Sequence, residues 1–285
     1  MGGYNVQPVF TYTPKVGSHD DHLEEYTNAV KNLSSPSSIA LFEPEPVCAV
    51  RAAKYNNLLP SGMPGPVLVI DVGASATSMS IVDSEKESIQ YHSRLDGFGG
   101  ETLLETLMDY LSKSFFGCRH TEASDKMAVQ RLYDAAQGAI MERQKLGRIQ
   151  INIPYLSMDE KMQPRHLNEG LSLSVLEAAF DDMVKDNIAG QALEQNVLSQ
   201  TNQNPSDVSA LFSSMIMSVL EHSGQNPFSL NSILVVGGGA RSPMCQQAIK
   251  KAIGALAGEQ FVAEKVIIPQ DGLIEELVAL GATLE

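Results

Sequence analysis

Two stretches decide the fold: Val67-Leu-Val-Ile-Asp-Val-Gly-Ala-Ser-Ala-Thr-Ser-Met-Ser-Ile-Val-Asp83 and Ile233-Leu-Val-Val-Gly-Gly-Gly-Ala-Arg-Ser-Pro243. Each opens with an unbroken apolar run, Val67–Ile70 or Ile233–Val236, which reads as a strand buried on both faces. Each run ends in glycines. A strand that stops in residues without a Cβ lets backbone N–H groups approach an anion closely, and phosphate is the usual guest. Asp71, at the end of the first strand, adds a carboxylate suited to holding a divalent cation through water. Together the two turns predict a nucleotide cleft made of two half-sites.

Bulk properties narrow the alternatives. A chain of 285 residues has ample core for one large domain or two of ordinary size. Its formal charge of -14 and its 20 scattered Lys and Arg argue against a nucleic-acid surface. No apolar run approaches the roughly 20 residues that span a bilayer, and Met1–Phe10 lacks the regions of a signal peptide. Gly2 invites a myristoylation reading, but Val6 stands where Ser or Thr is needed. Cys48, Cys118 and Cys245 are isolated and odd in number, which fits a reducing, cytoplasmic location without disulfides. His19 and His22, at i and i+3, read as part of a solvated first helical turn ahead of a metal pair.

Taken in order, Val6–Tyr12 reads as a strand, 18–32 as an amphipathic helix, and Ile39–Phe42 as a short strand. Glu43–Pro46 reads as a rigid turn, Val47–Tyr55 as a helix and 56–66 as a loop. Ile89–Leu95 is the expected hairpin partner of Met79–Val82. Gly97-Phe-Gly-Gly-Glu101 then precedes a helix with its stripe at Leu103, Leu104, Leu107, Met108 and Leu111, and predicts a third turn with free N–H groups. Helices follow at Met127–Lys145, Ser172–Asn187, Val208–His222 and Pro243–Leu256, with strands at Ile149–Leu156 and Phe261–Ile268 and a last helix from Glu275. The Gln- and Asn-rich stretch Ala189–Asp207 predicts a mobile excursion.

These motifs, in this order, resemble the nucleotide-binding domain of the seventy-kilodalton heat-shock (DnaK-type) chaperones. The residues that carry the likeness are Asp71–Val82, Gly99-Gly100-Glu101, Val236–Pro243 and Glu275–Ala282, with Glu45-Pro-Val-Cys-Ala49 similar to that family's Glu-Pro helix start. The resemblance implies an α/β, actin-like (ribonuclease H-like) ATPase fold, with residues 1–66 a remnant of an incomplete first lobe and 67–285 a complete second lobe carrying a helical subdomain at about 102–230. It implies ATP or ADP with Mg as cofactor, held by Asp71, Gly73, Gly99, Gly100, Glu101, Gly237, Gly238, Gly239, Arg241 and Glu275. Glu45 and Asp71 would be the catalytic pair, with Asp71 holding the metal through water. Partners would be proteins: a co-chaperone, a client or an assembly.

The departures from that pattern bear on chemistry. Where the family has Asp-x-Gly-Gly-Gly-Thr-x-Asp, this chain has Ala76 and Ser78 in place of the hydroxyl and the second carboxylate. Gln137, Ile140 and Met141 stand where the family places an acid and two basic residues against the ribose and base. The likeness covers the later two thirds of the family's domain, so the first phosphate hairpin and its lysine have no counterpart expected here. Five readings stay open: a non-hydrolysing relative acting through surface contacts, an ATP-hydrolysing chaperone, a fragment of a longer chaperone-like protein, a sugar kinase or actin-like filament protein on the same fold, and a ligand-free interaction protein.

Overall fold

A computed structural model describes residues 9–14, 41–60, 65–141, 148–270 and 272–284. The helix expected over 18–32, with His19 and His22, lies outside the described residues. Strand β1 (Val9–Tyr12) pairs in parallel with β2 (Leu41–Pro44). Strand β2 runs straight into helix α1 (Glu45–Tyr55), so the turn expected at Glu43–Pro46 is absent. Pro44 caps the helix in extended conformation and Pro46 falls in its first turn, where a missing N–H breaks no helical bond. Arg51 anchors α1 to Glu43 at 3.2 Å, to Glu87 at 2.9 Å and to the Gly281 carbonyl at 3.3 Å.

Strands β3 (Pro66–Val72), β4 (Ala76–Asp83) and β5 (Ser88–Asp96) form an antiparallel meander. Helix α2 (Gly100–Phe116) buries Leu103, Leu104, Leu107, Met108, Leu111 and Phe115, the apolar stripe read from its sequence, and helix α3 (Lys126–Met141) packs beside it. Next comes a hairpin of β6 (Arg148–Met158) and β7 (Pro164–Ser172), bulged between Ile153 and Ser157. Helix α4 (Leu173–Met183) continues through a π turn at Val184–Ile188 into α5 (Ala189–Glu194), and helix α6 (Val208–Ser223) follows, capped by the Asp207 carboxylate on the Ala210 N–H at 2.8 Å.

After α6 come β8 (Ser232–Val236), α7 (Pro243–Ala257), α8 (Glu259–Lys265), β9 (Val266–Ile267) and α9 (Leu273–Ala282). The strand expected over Phe261–Ile268 is therefore mostly helix. Its Glu, Gln, Ala and Lys favour helix, and Phe261 and Val262 bury on the helical face beside the main core. The sheet order is β5-β4-β3-β8-β9, with β3, β8 and β9 mutually parallel.

Strand β3 is covered on both sides, as its apolar run requires. Leu68, Ile70 and Val72 join the large core under α2, α6 and α7, while Val67 and Val69 join a smaller core with α1 and Leu277 of α9. His92 is fully buried on β5 and Ser80 lies 2.8 Å from its Nδ1; burial, aided by Arg94, lowers its pKa to about 4, so it is neutral in the fold.

Ala189–Asp207 is no mobile excursion. Ala192 and Val197 are fully buried, Leu198 and Ser199 nearly so, and the Gln195 side chain bonds both backbone groups of Asp96, at 2.8 and 3.1 Å. Amides of residues 192–199 should therefore exchange as slowly as those of α6, and Val197→Ala should cost about 1–2 kcal/mol in urea unfolding. Exchange at loop rates would show the packing to be transient.

Candidate functional site

The register of the parallel pair builds the site. Val67 faces Ser232 and Asp71 faces Val236, so the two strands end at one level and the glycine turns, far apart in sequence, become neighbours. Gly237 folds over the end of β3 with φ +92°, and its N–H donates to the Ile274 carbonyl at 3.0 Å. A Cβ there would lie 2.2 Å from Asp71 Oδ1 and 2.4 Å from the Val72 carbonyl. Only glycine fits that backbone and that approach.

The third turn closes on the first. Gly97 N–H donates to Ser75 O at 2.9 Å, Gly100 N–H to Gly73 O at 2.9 Å, and Glu101 N–H to Ala74 O at 2.8 Å. Thr77 Oγ1 donates to the Phe98 carbonyl at 2.8 Å, and the Gly99 N–H is taken by Thr102 Oγ1 at 3.2 Å. The free N–H groups expected at Gly99, Gly100 and Glu101 are thus engaged within the protein. Gly73 N–H is engaged too, by Ala76 O at 2.9 Å. The turns touch: a Cβ on Gly99 would lie 2.4 Å from the Ala74 carbonyl.

Beside these turns lies a cavity of about 240 Å³. Ala74, Gly100, Glu101, Gly238 and Gly239 form one wall, and Tyr133, Gln137 and Ile140 of α3 form the other, with Leu103, Leu104 and Ser242 completing it. Gln137 and Ile140 stand where the family resemblance put the base side; nothing is described of the Met141 side chain. Tyr133 was missed, although Tyr133, Gln137 and Ile140 recur at i, i+4 and i+7, the spacing of one helical face. Gln191 and Gln195, which brace the Gly97 loop, carried no signal beyond composition.

Glu101 apart, the charged residues expected at the site are not on that cavity lining. Arg241 pairs with Glu275 at 3.1 Å, joining two expected site residues, with Glu275 Oε1 next to Gly238. Glu45 accepts a hydrogen bond from Thr13 Oγ1 at 2.5 Å. Asp71 has its pKa raised to about 6, first by burial and then by the Glu45 carboxylate, with Arg94 acting the other way. Its direct cross-strand neighbour is Ser78, whose next neighbour is Arg94, itself bonded to Asp96 at 2.7 Å. Among the described residues no group of three or more His, Cys, Asp or Glu could hold a metal ion.

Residues 58–213, just over half of the chain, match the family model for the Hsp70 protein. The chain belongs to the Hsp70 family. The matched span contains the first glycine hairpin, the Gly97–Glu101 turn and the Tyr133–Ile140 wall, and stops within α6; the second glycine turn reaches the site through strand pairing. Membership gives the chain the actin-like ATPase fold and the identity of a chaperone-family ATP-binding domain. Hsp70-family domains bind ATP or ADP with Mg. Against that group, the base half of this cleft fits, with a cavity, an aromatic and two glycine turns. The phosphate half fits poorly, because its glycine N–H groups are engaged and the side chain opposite Asp71 is Ser78.

The elevated Asp71 pKa has a definite sign. The folded state takes up the proton at about pH 6 and the unfolded chain near 3.8, so the ionised carboxylate opposes folding above pH 6 and its effect vanishes below 3.8. A shift of this size is worth at most about 3 kcal/mol. Asp71→Asn should therefore raise the unfolding free energy from urea titration at pH 7.5 by about 1–3 kcal/mol, with the gain fading to nothing by pH 3.5. Comparing variant with wild type at each pH cancels the opposite trend of His92. A variant less stable than wild type at pH 7.5 would mean that Asp71 has stabilising partners in its ionised form.

Proposed function

We propose that this protein is a non-hydrolysing Hsp70-family member that keeps the nucleotide cleft as a scaffold and acts in protein folding through contacts with other proteins, as a co-chaperone or assembly component. The observation that carries the first half is the surroundings of Asp71. Phosphoryl transfer depends on positioned charge around the transferred group, and loss of single contributors at such sites commonly costs on the order of a hundredfold or more. Here Asp71 faces a serine across the sheet, and Glu45, the other candidate, is bonded to Thr13. Were Mg bound, Asp71 would hold it through water, with Glu45 the nearest carboxylate influence.

The second half draws on the surface. Met127, Tyr155, Met158 and Met162 are 51–81% exposed. They gather at the β6–β7 hairpin and the start of α3, which Ser157 ties to Asp125 at 2.7 Å and Arg131 ties to the Pro154 carbonyl at 2.7 Å. Flexible Met side chains and an exposed Tyr suit a protein contact. Free Cys48, Cys118 and Cys245 accord with a cytoplasmic setting. No helix among the described residues is long and apolar enough to cross a membrane.

Phosphate release from ATP with Mg by the purified chain should stay at the level of a protein-free blank, and Glu45→Gln should leave it there. Calorimetry should give weak ADP binding, about 0.1–1 mM, abolished by Gly238→Val. Turnover that disappears in Glu45→Gln would overturn the non-hydrolysing reading.

A further inference from the structure

We infer that the cleft takes the uncharged base and sugar of a purine nucleoside and gains no affinity from phosphates. The inference rests on the cleft reading above and specifies its ligand. Three observations carry it. The cavity, at about 240 Å³, lies below the roughly 300–1,000 Å³ of sites that enclose drug-sized ligands, and it suits a base with its sugar better than a nucleoside triphosphate.

Its walls recognise a flat, neutral group. Tyr133 contributes an aromatic ring to the lining, Gln137 offers both a donor and an acceptor for a base edge, and Ile140 and Leu104 give apolar contact. Gly238 and Gly239, on the facing wall, have N–H groups with no acceptor among the described residues, and can donate to a sugar or base oxygen or nitrogen. Among the described residues of the lining Glu101 is the one charged side chain, with no Lys or Arg to meet a phosphate.

The glycine turns between the cavity lining and Asp71 are packed backbone against backbone. Gly100 and Gly239 approach so nearly that a Cβ on the first would lie 3.3 Å from the Cα of the second, and a Cβ on Gly239 would lie 2.9 Å from the Gly73 carbonyl. Gly100 and Glu101, which begin α2, donate to the 73–74 carbonyls. Beyond them stand Asp71 and Glu45, both carboxylates.

Titration calorimetry of the full chain with adenosine, ADP and ATP, each with and without Mg, tests this. Adenosine should bind, with ADP and ATP no more than threefold tighter and no response to Mg. Phosphorylated ligands more than threefold tighter, or tightened by Mg, would overturn this inference and leave the proposed cleft standing. No binding by any of the three would overturn both. Tyr133→Ala, at a side chain 37% exposed, should leave Tm unchanged and weaken adenosine about fivefold; unchanged affinity would place the nucleoside elsewhere.

Discussion

The structure depends on one pairing: Val67–Asp71 lying parallel to Ser232–Val236. Parallel strands need a long crossover, and here the connection carries α2 to α6 and the β6–β7 hairpin before the chain returns to the sheet. The pairing holds because, Ser232 apart, both strands are apolar at every buried position, Leu68, Ile70, Ile233 and Val235 toward one core and Val67, Val69, Leu234 and Val236 toward the other. A slip by one residue would exchange the two faces and misplace each set. That constraint fixes where the strands end, and with it the meeting of Gly237 and Asp71. The site is a by-product of register.

At that meeting point the chain accepts a cost. Asp71 is half-buried with a second carboxylate near and, among the described residues, one competing cation, Arg94, on the far side of Ser78. An ionised group so placed is usually neutralised or paired where stability alone decides. Strongly shifted groups in clefts gather where chemistry or binding is done, which is why Asp71 enters the proposed function. The same spot lacks the second carboxylate and the hydroxyl that would make it a working cation and phosphate centre.

Much of this was legible from residues alone. The continuous apolar runs named both central strands, the glycines named all three turns, and the spacing of Leu103, Leu107 and Leu111 named α2. What escaped reading depended on partners distant in sequence. Composition made 189–207 look mobile, yet Ala192, Val197 and Leu198 fill a core gap while Gln195 bonds the backbone at Asp96. Strand β7 is polar along most of its length and shows only Leu167 and Leu171, four apart, as its buried face. Phe261 to Ile268 is rich in β-favouring side chains, but its Phe and Val serve a helix beside α7. A glycine at a helix start reveals a bare N–H; it does not reveal that the Gly73 carbonyl, far back in the chain, will take it.

That last point bears on what the cleft can bind. To cradle a phosphate, the first turn of α2 would have to release at least the Gly100 and Glu101 bonds to the 73–74 loop. Each is worth about 0.5–1.5 kcal/mol net, so opening both costs about 1–3 kcal/mol, or roughly 5- to 150-fold in affinity. New charge-assisted bonds to the anion would return part of that. The anion, however, must also shed water beside Asp71 and Glu45, with no lysine or arginine among the described residues of the cavity lining to offset the repulsion. A neutral nucleoside incurs neither loss, since it meets Gly238 and Gly239 on a wall already formed and leaves the closed turns as they are. On the proposed reading, the hydrogen bonds that hold the three turns together set the ligand preference, because the glycine N–H groups of the phosphate half are already part of the protein's own backbone structure.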